Sequence, residues 1–393
     1  MLYHLAIYMI RSDFGMRKGS WNTTVLLVWA IAIGNIVLHL AVYNNLEYHR
    51  DELLYFSLGN HPSFGYATVP PLIGWIAWVM QLFFGYSLFA VKFFPALLSG
   101  ALVLLSARIT KELGGMGYAQ ILTAIAILCL PVGLRAFHLF QPVPIDLFMW
   151  TVVLYFVLRY VHSKETKYLK WVGLSVGVAL LNKYLVLLLV FSLLCGMTFT
   201  KHRTIWKQKE LYLGMGTALL LLLPNLIWQA VHGFPVIGHM QALQESQLVY
   251  VDRMGFFMDQ LLLTFSVCFL VVIGWAFLIR RSAYRFLAIT ATLVILLLIL
   301  LQGKSYYTIG IYPFLVAAGS VALANAIRPV WLRLLFPILI LGLTLPALPI
   351  GIPLYEEEGL VAYFDRLEKN YGLEIGRRFE DGTVHSLPQD YAD

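Results

Sequence analysis

Between Trp21 and Ile350, long apolar runs follow one another with only short polar breaks, and no other feature constrains the fold of this chain so closely. A run of roughly 20 apolar residues, coiled as a helix, matches the hydrocarbon thickness of a bilayer. With 60% of its residues apolar and 12% charged, the chain has lipid rather than water as its main solvent. The expected fold class is therefore an all-α polytopic membrane protein. One membrane domain fills residues 1–353, and a polar tail occupies residues 354–393.

The opening MLYHLAIYMIR is too short to span and lacks the cationic front and small-residue cleavage site of a secretory signal. It is expected to be cytoplasmic or interfacial. Cys129, Cys195 and Cys268 sit inside apolar runs without the paired spacing of a metal knuckle or a disulfide framework, and they read as small buried hydrophobes. The formal net charge of +7 comes from short cationic clusters between apolar runs rather than from one basic face. That pattern speaks for membrane topology and against nucleic acid as a partner.

The cations set the orientation. Arg11, Arg17 and Lys18 precede the first span, Trp21 to Tyr43, which puts the N-terminus in the cytoplasm. Residues 44–87 then form the first outer loop. Within it, Val69 to Phe84 is apolar but broken by Pro70 and Pro71, and short for a crossing. If this segment stays at the outer interface, the cytoplasmic loops collect fifteen cations, among them Arg108, Lys111, Arg159, Lys201, Arg280 and Arg328, while the outer loops keep only Arg135, Lys183, Arg253 and Lys304. A crossing would exchange these sets against the positive-inside rule, so interfacial placement is expected. About eleven crossings result, with Tyr118–Phe137 and Phe257–Leu278 each read as one span and the tail outside. No inverted repeat of the kind common in secondary transporters is visible.

The first outer loop carries HRDELLYFSLGNHPSFGYATVPPLIGW from His49 to Trp75, with the acids Asp51 and Glu52 directly behind the first span. Asp51, Leu54, Tyr55 and Leu58 follow helical spacing, which predicts a short interfacial helix over Leu53 to Gly59 that Asp51 opens. A carboxylate at a helix N-terminus is stabilised as an anion, which suits a base, a metal ligand or a cation clamp. It also suits a plain helix cap.

The string DELLYFSLGNHPSFGYATVPPLIGW resembles the first outer loop of bacterial membrane glycosyltransferases of the C-type superfamily, related to protein O-mannosyltransferases and the lipid A aminoarabinose transferase. The resemblance extends, in order, to FHLFQPVPIDLFMW, WVGLSVGVALLNKYLVLL, LLPNLIWQAVHGFP and QGKSYYTIGIYPFLVAAG, covering most of Asn44 to Ala326. It implies a bacterial inner-membrane enzyme that uses a polyprenyl-phosphate sugar donor and a lipid, glycan or protein acceptor at the outer face. It also implies Asp51 as the general base for the acceptor hydroxyl, with Glu52 orienting it or binding substrate. One departure is Val69, where the aminoarabinose transferases carry a basic residue before Pro-Pro-Leu. The phosphate must then meet other cations. LPQDYAD in the tail resembles a junction into a further soluble domain in some relatives, so the tail reads as the opening of such a domain.

Lys183 leads among those cations. Tyr168 to Phe199 must go out and back with about fifteen residues per limb, or roughly 22 Å, against a core of about 30 Å. The turn at Asn182 and Lys183 therefore lies below the surface, where a lysine costs about 2.5–3.5 kcal/mol unless water or an anion meets it. Lys304 in GKSYY, with Tyr307, suits phosphate or sugar, or an ordinary aromatic belt. Tyr184 adjoins Lys183. Arg135 suits an ion pair with Asp146 or contact with phosphate, and Asp146, at the outer start of a span, suits capping or substrate contact. The aromatic run Trp75 to Phe84 suits a prenyl chain or simple packing. A divalent metal on Asp51 with His61, His138, His232 or His239 is compatible with the residue types, although none has the short two-ligand zinc spacing. The rival class is a membrane transporter or lipid flippase whose polar residues line a pathway, and the missing repeat counts against it.

Overall fold

The computed structural model describes residues 23–246 and 253–372, together with 375–377, 383–388 and 391 of the tail. The opening segment expected in the cytoplasm or interface lies outside the described residues. Those described are almost wholly helical. After α1 (Thr23–Ala41), the first loop contains the short α2 (Arg50–Ser57), a turn of 3₁₀ helix over Leu58–Asn60, and α3 (Leu72–Phe84). Next come α4 (Leu88–Glu112), α5 (Tyr118–Leu128), α6 (Pro131–Ala136) and α7 (Pro142–Ser163). α8 (Lys167–Leu180), α9 (Val186–Thr198), α10 (Lys209–Val231) and α11 (Pro235–Ser246) follow, then α12 (Arg253–Leu263), α13 (Cys268–Arg280) and α14 (Arg285–Leu300). A 3₁₀ segment, Ser305–Ile311, leads into α15 (Tyr312–Ala326), and α16 (Val330–Gly351) and α17 (Glu357–Tyr371) complete the order.

Among the described residues, six helices are long and apolar enough to cross a membrane, or seven if a pair bent by 70° at Thr264 is one span. The bent pair occupies the expected span Phe257–Leu278. Tyr118–Phe137 is likewise divided, at Leu130 and Pro131. Proline has no N–H to continue the ladder and pushes the residue before it out of helix, and Leu130 has an extended ψ of 113°. Other expected crossings are shorter helices, among them α9 with 13 residues and α14 with 16. At 1.5 Å per residue they reach about 20–24 Å. α3, the segment after the double proline, has 13 residues and is short for a crossing on its own. Gly85, with φ 62°, ends it and allows the reversal into α4, whose first turn Ser87 caps.

α7 and the Ser305–Ala326 unit are the most enclosed helices of the bundle. α13 and α15 pack with their backbones almost touching. A Cβ on Gly274 would lie 2.0 Å from the Leu315 carbonyl oxygen, and one on Gly319 2.0 Å from that of Leu270. α8 and α10 meet in the same way through Gly173 and Gly214. At one end of the bundle, Glu112 accepts from Arg159 at 2.8 Å, Arg159 reaches the Tyr168 hydroxyl at 2.6 Å, and His162 pairs with Tyr284 at 2.6 Å. The first loop occupies the other end. The described part of the tail forms a small apolar cluster, in which Leu360, Phe364 and Leu387 pack against Leu46 and Ile350. Arg377 binds Asp365 and Glu368 there, each at 2.9 Å.

A buried ion pair fixes the first loop on the bundle. Lys92, one turn into α4, donates to both oxygens of Glu52 at 2.7 Å, with Glu52 wholly buried. Glu52 also accepts the backbone N–H of Phe140 at 3.0 Å and that of His49 at 3.1 Å. The carboxylate is thus met from α4, from the turn between α6 and α7, and from its own helix start. The cap of α2 is His49, whose ring nitrogen accepts from the Asp51 N–H at 3.2 Å, and not Asp51 itself. The expected start of that helix moves accordingly, and the Asp51 carboxylate is left for another use.

Two tests follow from this packing. Gly274→Ala should lower stability by about 1–3 kcal/mol, because the methyl meets backbone that cannot step aside, and the thermal midpoint in detergent measures it. Lys92→Met should cost about 3–5 kcal/mol by stranding a buried carboxylate. Adding Glu52→Gln should recover part of that loss, so the three unfolding midpoints should be non-additive. A Lys92→Met protein as stable as wild type would show that the pair does not hold the loop.

Candidate functional site

Side chains from segments far apart in sequence meet at the first-loop end of the bundle. Asp51 lies in the first turn of α2 with its side chain 39% exposed, whereas Glu52 beside it is enclosed. A step of about 100° per helical residue separates the two acids. Gln141 donates to Asp51 Oδ2 at 3.2 Å, and Arg50 lies 3.8 Å from Oδ1. One turn along α2, burial and the charge of Asp51 push the Tyr55 phenol up to about 12, with Tyr307 adding to the effect. Tyr55 is therefore a neutral O–H donor at any ordinary pH.

Tyr306 and Tyr307 stand opposite, on the Ser305–Ile311 segment, with ring centroids 4.9 Å apart and planes at 82°. Asp51 and Tyr55 both act on Tyr306. The Lys183 ammonium lies 4.1 Å from the Tyr307 ring centroid and 5.5 Å from that of Tyr306, within cation–π range. It also feels Asp146 as an attractive charge and Lys304 as a repulsive one. Lys304 Nζ lies 5.9 Å from the Tyr306 ring. Asp51, Tyr307, Lys183, Asp146 and Lys304 are thus neighbours in one cluster, to which the fold adds Tyr55 and Tyr306.

The local geometry explains why Lys183 sits there. α8 and α9 have 14 and 13 residues, so the turn between them ends short of a full crossing. Asn182, fully buried, donates to the Pro142 carbonyl at 2.9 Å, and the Leu72 N–H donates to Leu181 at 2.9 Å. Those bonds tie the turn to the starts of α7 and α3. The Ser305–Ile311 segment is held as firmly. Gln260, on α12, accepts from the hydroxyls of Thr308 and Tyr312 and donates to the Ser305 carbonyl at 3.3 Å. Gly310 lets the segment lie on Trp150, since a Cβ there would come within 2.6 Å of that side chain.

Two other expected residues lie to the side. The Tyr184 hydroxyl donates to Asn225 at 2.5 Å, and Asn225 donates to the Phe64 carbonyl at 2.7 Å, so Tyr184 braces the first loop against α10. Arg135 does not pair with Asp146. Asp146 accepts from the Trp150 indole at 3.0 Å, and the Arg135 guanidinium packs over the Tyr391 ring at 4.1 Å. The reason is one of direction: Arg135 ends α6 and faces the tail, whereas Asp146 lies inside α7 and faces the tyrosine pair. Among the described residues no three His, Cys, Asp or Glu side chains gather as a metal site. His138 is buried, whereas His61 and His232 are exposed. The residues do not fit the metal that their types allow, and no step below is routed through one.

An open apolar groove of about 640 Å³ lies in the first loop, lined by Pro62, Ser63, Phe64, Trp75, Trp78 and Val79. Trp75 donates to the Ser63 carbonyl at 2.7 Å, and the Tyr66 hydroxyl bridges Leu58 and His61, which keeps the groove walls in place. Sequence reasoning passed over Lys92, although a lysine inside an apolar run was a signal. Gln141 and Gln260 gave none, because a glutamine's role depends on what folds against it.

The family model for dolichyl-phosphate-mannose-protein mannosyltransferase matches residues 68–228. No curated protein matches the chain by sequence. Among solved structures, ArnT from Cupriavidus metallidurans bound to undecaprenyl phosphate superposes with a TM-score of 0.67 at 18% identity, over 83% of this chain and 65% of that one. The apo form of the same protein gives 0.65 at 19% identity, covering 83% and 64%. The oligosaccharyltransferase AglB from Archaeoglobus fulgidus, in complex with an inhibitory peptide and a dolichol-phosphate, gives 0.54 at 14% identity, covering 95% and 61%. The chain thus spans just under two thirds of the length of these structures. It shares the fold of these membrane proteins, and over residues 68–228 it matches the sequence pattern of the dolichyl-phosphate-mannose-protein mannosyltransferases.

Proposed function

We propose that this chain transfers a monosaccharide from a polyprenyl-phosphate donor to a hydroxyl of a lipid, glycan or protein acceptor at the extracytoplasmic face of the inner membrane. One observation carries the reading: the Lys183 ammonium lies over the rings of both Tyr306 and Tyr307, and the charge of Asp51 reaches Tyr306 from the other helix. A carboxylate and an ammonium near one tyrosine pair suit a reaction that removes a proton at one point and releases an anion at another. The membrane domain up to residue 353 holds this machinery, with residues 44–87 as its catalytic loop.

Asp51 takes the proton of the acceptor hydroxyl as its oxygen attacks the anomeric carbon. The bond from that carbon to the phosphate oxygen breaks, and its electron pair leaves on polyprenyl phosphate. A single displacement inverts the anomeric centre. Lys183 and Lys304 neutralise the leaving phosphate, and the Tyr307 hydroxyl and Asp146 line the sugar side. Glu52 acts indirectly by holding α2. Arg135 and Tyr184 stand at the margin, Arg135 as a further anion contact and Tyr184 as a brace. The groove between Phe64 and Trp78 offers apolar surface for the prenyl chain.

Purified protein incubated with a panel of polyprenyl-phosphate sugars and membrane-lipid acceptors should release polyprenyl phosphate from at least one donor. Asp51→Asn, folded to the wild-type midpoint, should slow that release by about 10²–10⁴-fold. Full turnover in that variant would remove Asp51 as the base. Lys183→Met should weaken retention of polyprenyl phosphate by about 10- to 100-fold, the loss of a charge-assisted contact, measured by scintillation proximity. Unchanged retention would place the phosphate elsewhere.

A further inference from the structure

Phe140 and Gln141 together hold both acids of α2: the Phe140 backbone N–H binds Glu52, and the Gln141 side chain binds Asp51. Gln141 occupies the N-cap position of α7, with Pro142 after it, yet its side chain makes no capping hydrogen bond. Glutamine is a poor cap in any case. Its amide is turned instead toward α2, to a residue 90 positions earlier in the chain. An ionised carboxylate only accepts, so the NH₂ end must face Asp51.

The backbone on either side of Gln141 is anchored. The Phe140 N–H is tied to buried Glu52 at 3.0 Å, and the Pro142 carbonyl accepts from buried Asn182 at 2.9 Å. Only the side-chain torsions of Gln141 remain free, and the bond to Asp51 sets them. The groups facing Asp51 include Arg50 and Tyr55 from its own helix, Tyr306 from the Ser305–Ile311 segment and Gln141 from α7. Gln141 is the one of these that grips a single carboxylate oxygen, Oδ2, with a neutral donor.

Resting on the transferase reading, we propose that Gln141 is a positioning residue. It holds Oδ2 of Asp51 so that Oδ1, whose other neighbour is the exposed Arg50 at 3.8 Å, is presented to the acceptor hydroxyl, and it does so without adding a further charge. It belongs to the proton-accepting side of the reaction and leaves the donor phosphate alone. Its loss should therefore appear in kcat and not in the donor KM.

Two measurements test this on the full-length protein in detergent. The first is a double-mutant cycle of thermal midpoints for Asp51→Ala and Gln141→Met, which needs no turnover. The midpoint shifts should be non-additive, and additive shifts would overturn the contact. The second is release of polyprenyl phosphate from the donor that supports turnover, across pH. Gln141→Met should lower kcat by about tenfold, with donor KM unchanged and the ratio to wild type flat with pH. Gln141→Glu is nearly isosteric, but its introduced carboxyl can donate only when protonated. Its turnover relative to wild type should recover as pH falls through the carboxylate range. A raised donor KM, or a flat ratio in Gln141→Glu, would overturn the positioning role while leaving Asp51 as base. Full turnover in Asp51→Asn would remove Asp51 as the base and this proposal with it, and no turnover from any donor would sink the transferase reading as a whole.

Discussion

The buried pair between Lys92 and Glu52 is the constraint on which the rest of the site depends. Taking a lysine and a glutamate out of water costs several kcal/mol per ion, and their attraction offsets this only if the remaining lone pairs are also met. Here they are, because Lys92 contacts both carboxylate oxygens and the N–H groups of Phe140 and His49 complete the shell. Each partner comes from a different segment, so satisfying one carboxylate fixes the relative positions of α2, α4 and the start of α7. A small displacement of any of them would leave a buried charge short of a partner. The first loop is thereby as well placed as a helix of the bundle.

That arrangement divides the labour between adjacent acids. Glu52 spends its whole hydrogen-bonding capacity on the fold. Asp51, one helical step away, keeps an accessible carboxylate held by Gln141 at its edge. Identical chemistry in neighbouring residues thus serves two purposes, decided by which side of a short helix faces the bundle. Lys183 shows the same logic from the other side. Its turn is shallow because α8 and α9 are short, and the tyrosine rings beneath its ammonium give a cation a favourable face without neutralising it. Among the described residues no carboxylate bonds to it directly, so its charge is not neutralised by an ion pair.

Much of this was legible in the residues. The apolar runs declared a helical membrane protein, and the Asp51–Glu52 pair marked the loop. The limb lengths around Lys183 pointed to two helices too short for a full crossing, and the helices there have 14 and 13 residues. Other features were not legible, for identifiable reasons. Hydropathy averages over a window and cannot see a bend, so the division at Leu130 and Pro131 and the 70° bend at Thr264 were read as continuous spans. Propensity favoured Asp51 as the cap of α2, but His49 takes that place because Glu52 reciprocates in a capping box. Arg135 and Asp146 are close enough in sequence to suggest a pair, yet the turn between α6 and α7 sends them in different directions.

What the sequence by itself determined is the solvent of the chain, its secondary structure and the inventory of charged residues that a bilayer would tolerate only with a purpose. These depend on local quantities: run length, residue type and the cost of each group in lipid. Only the tertiary structure decided which acid is buried and which is available, which cation supports the fold and which faces the tyrosines, and which glutamine grips Asp51. Those outcomes depend on distances between segments tens to hundreds of residues apart. A hydrogen bond or ion pair acts over about 3–4 Å, and no one-dimensional spacing encodes that separation.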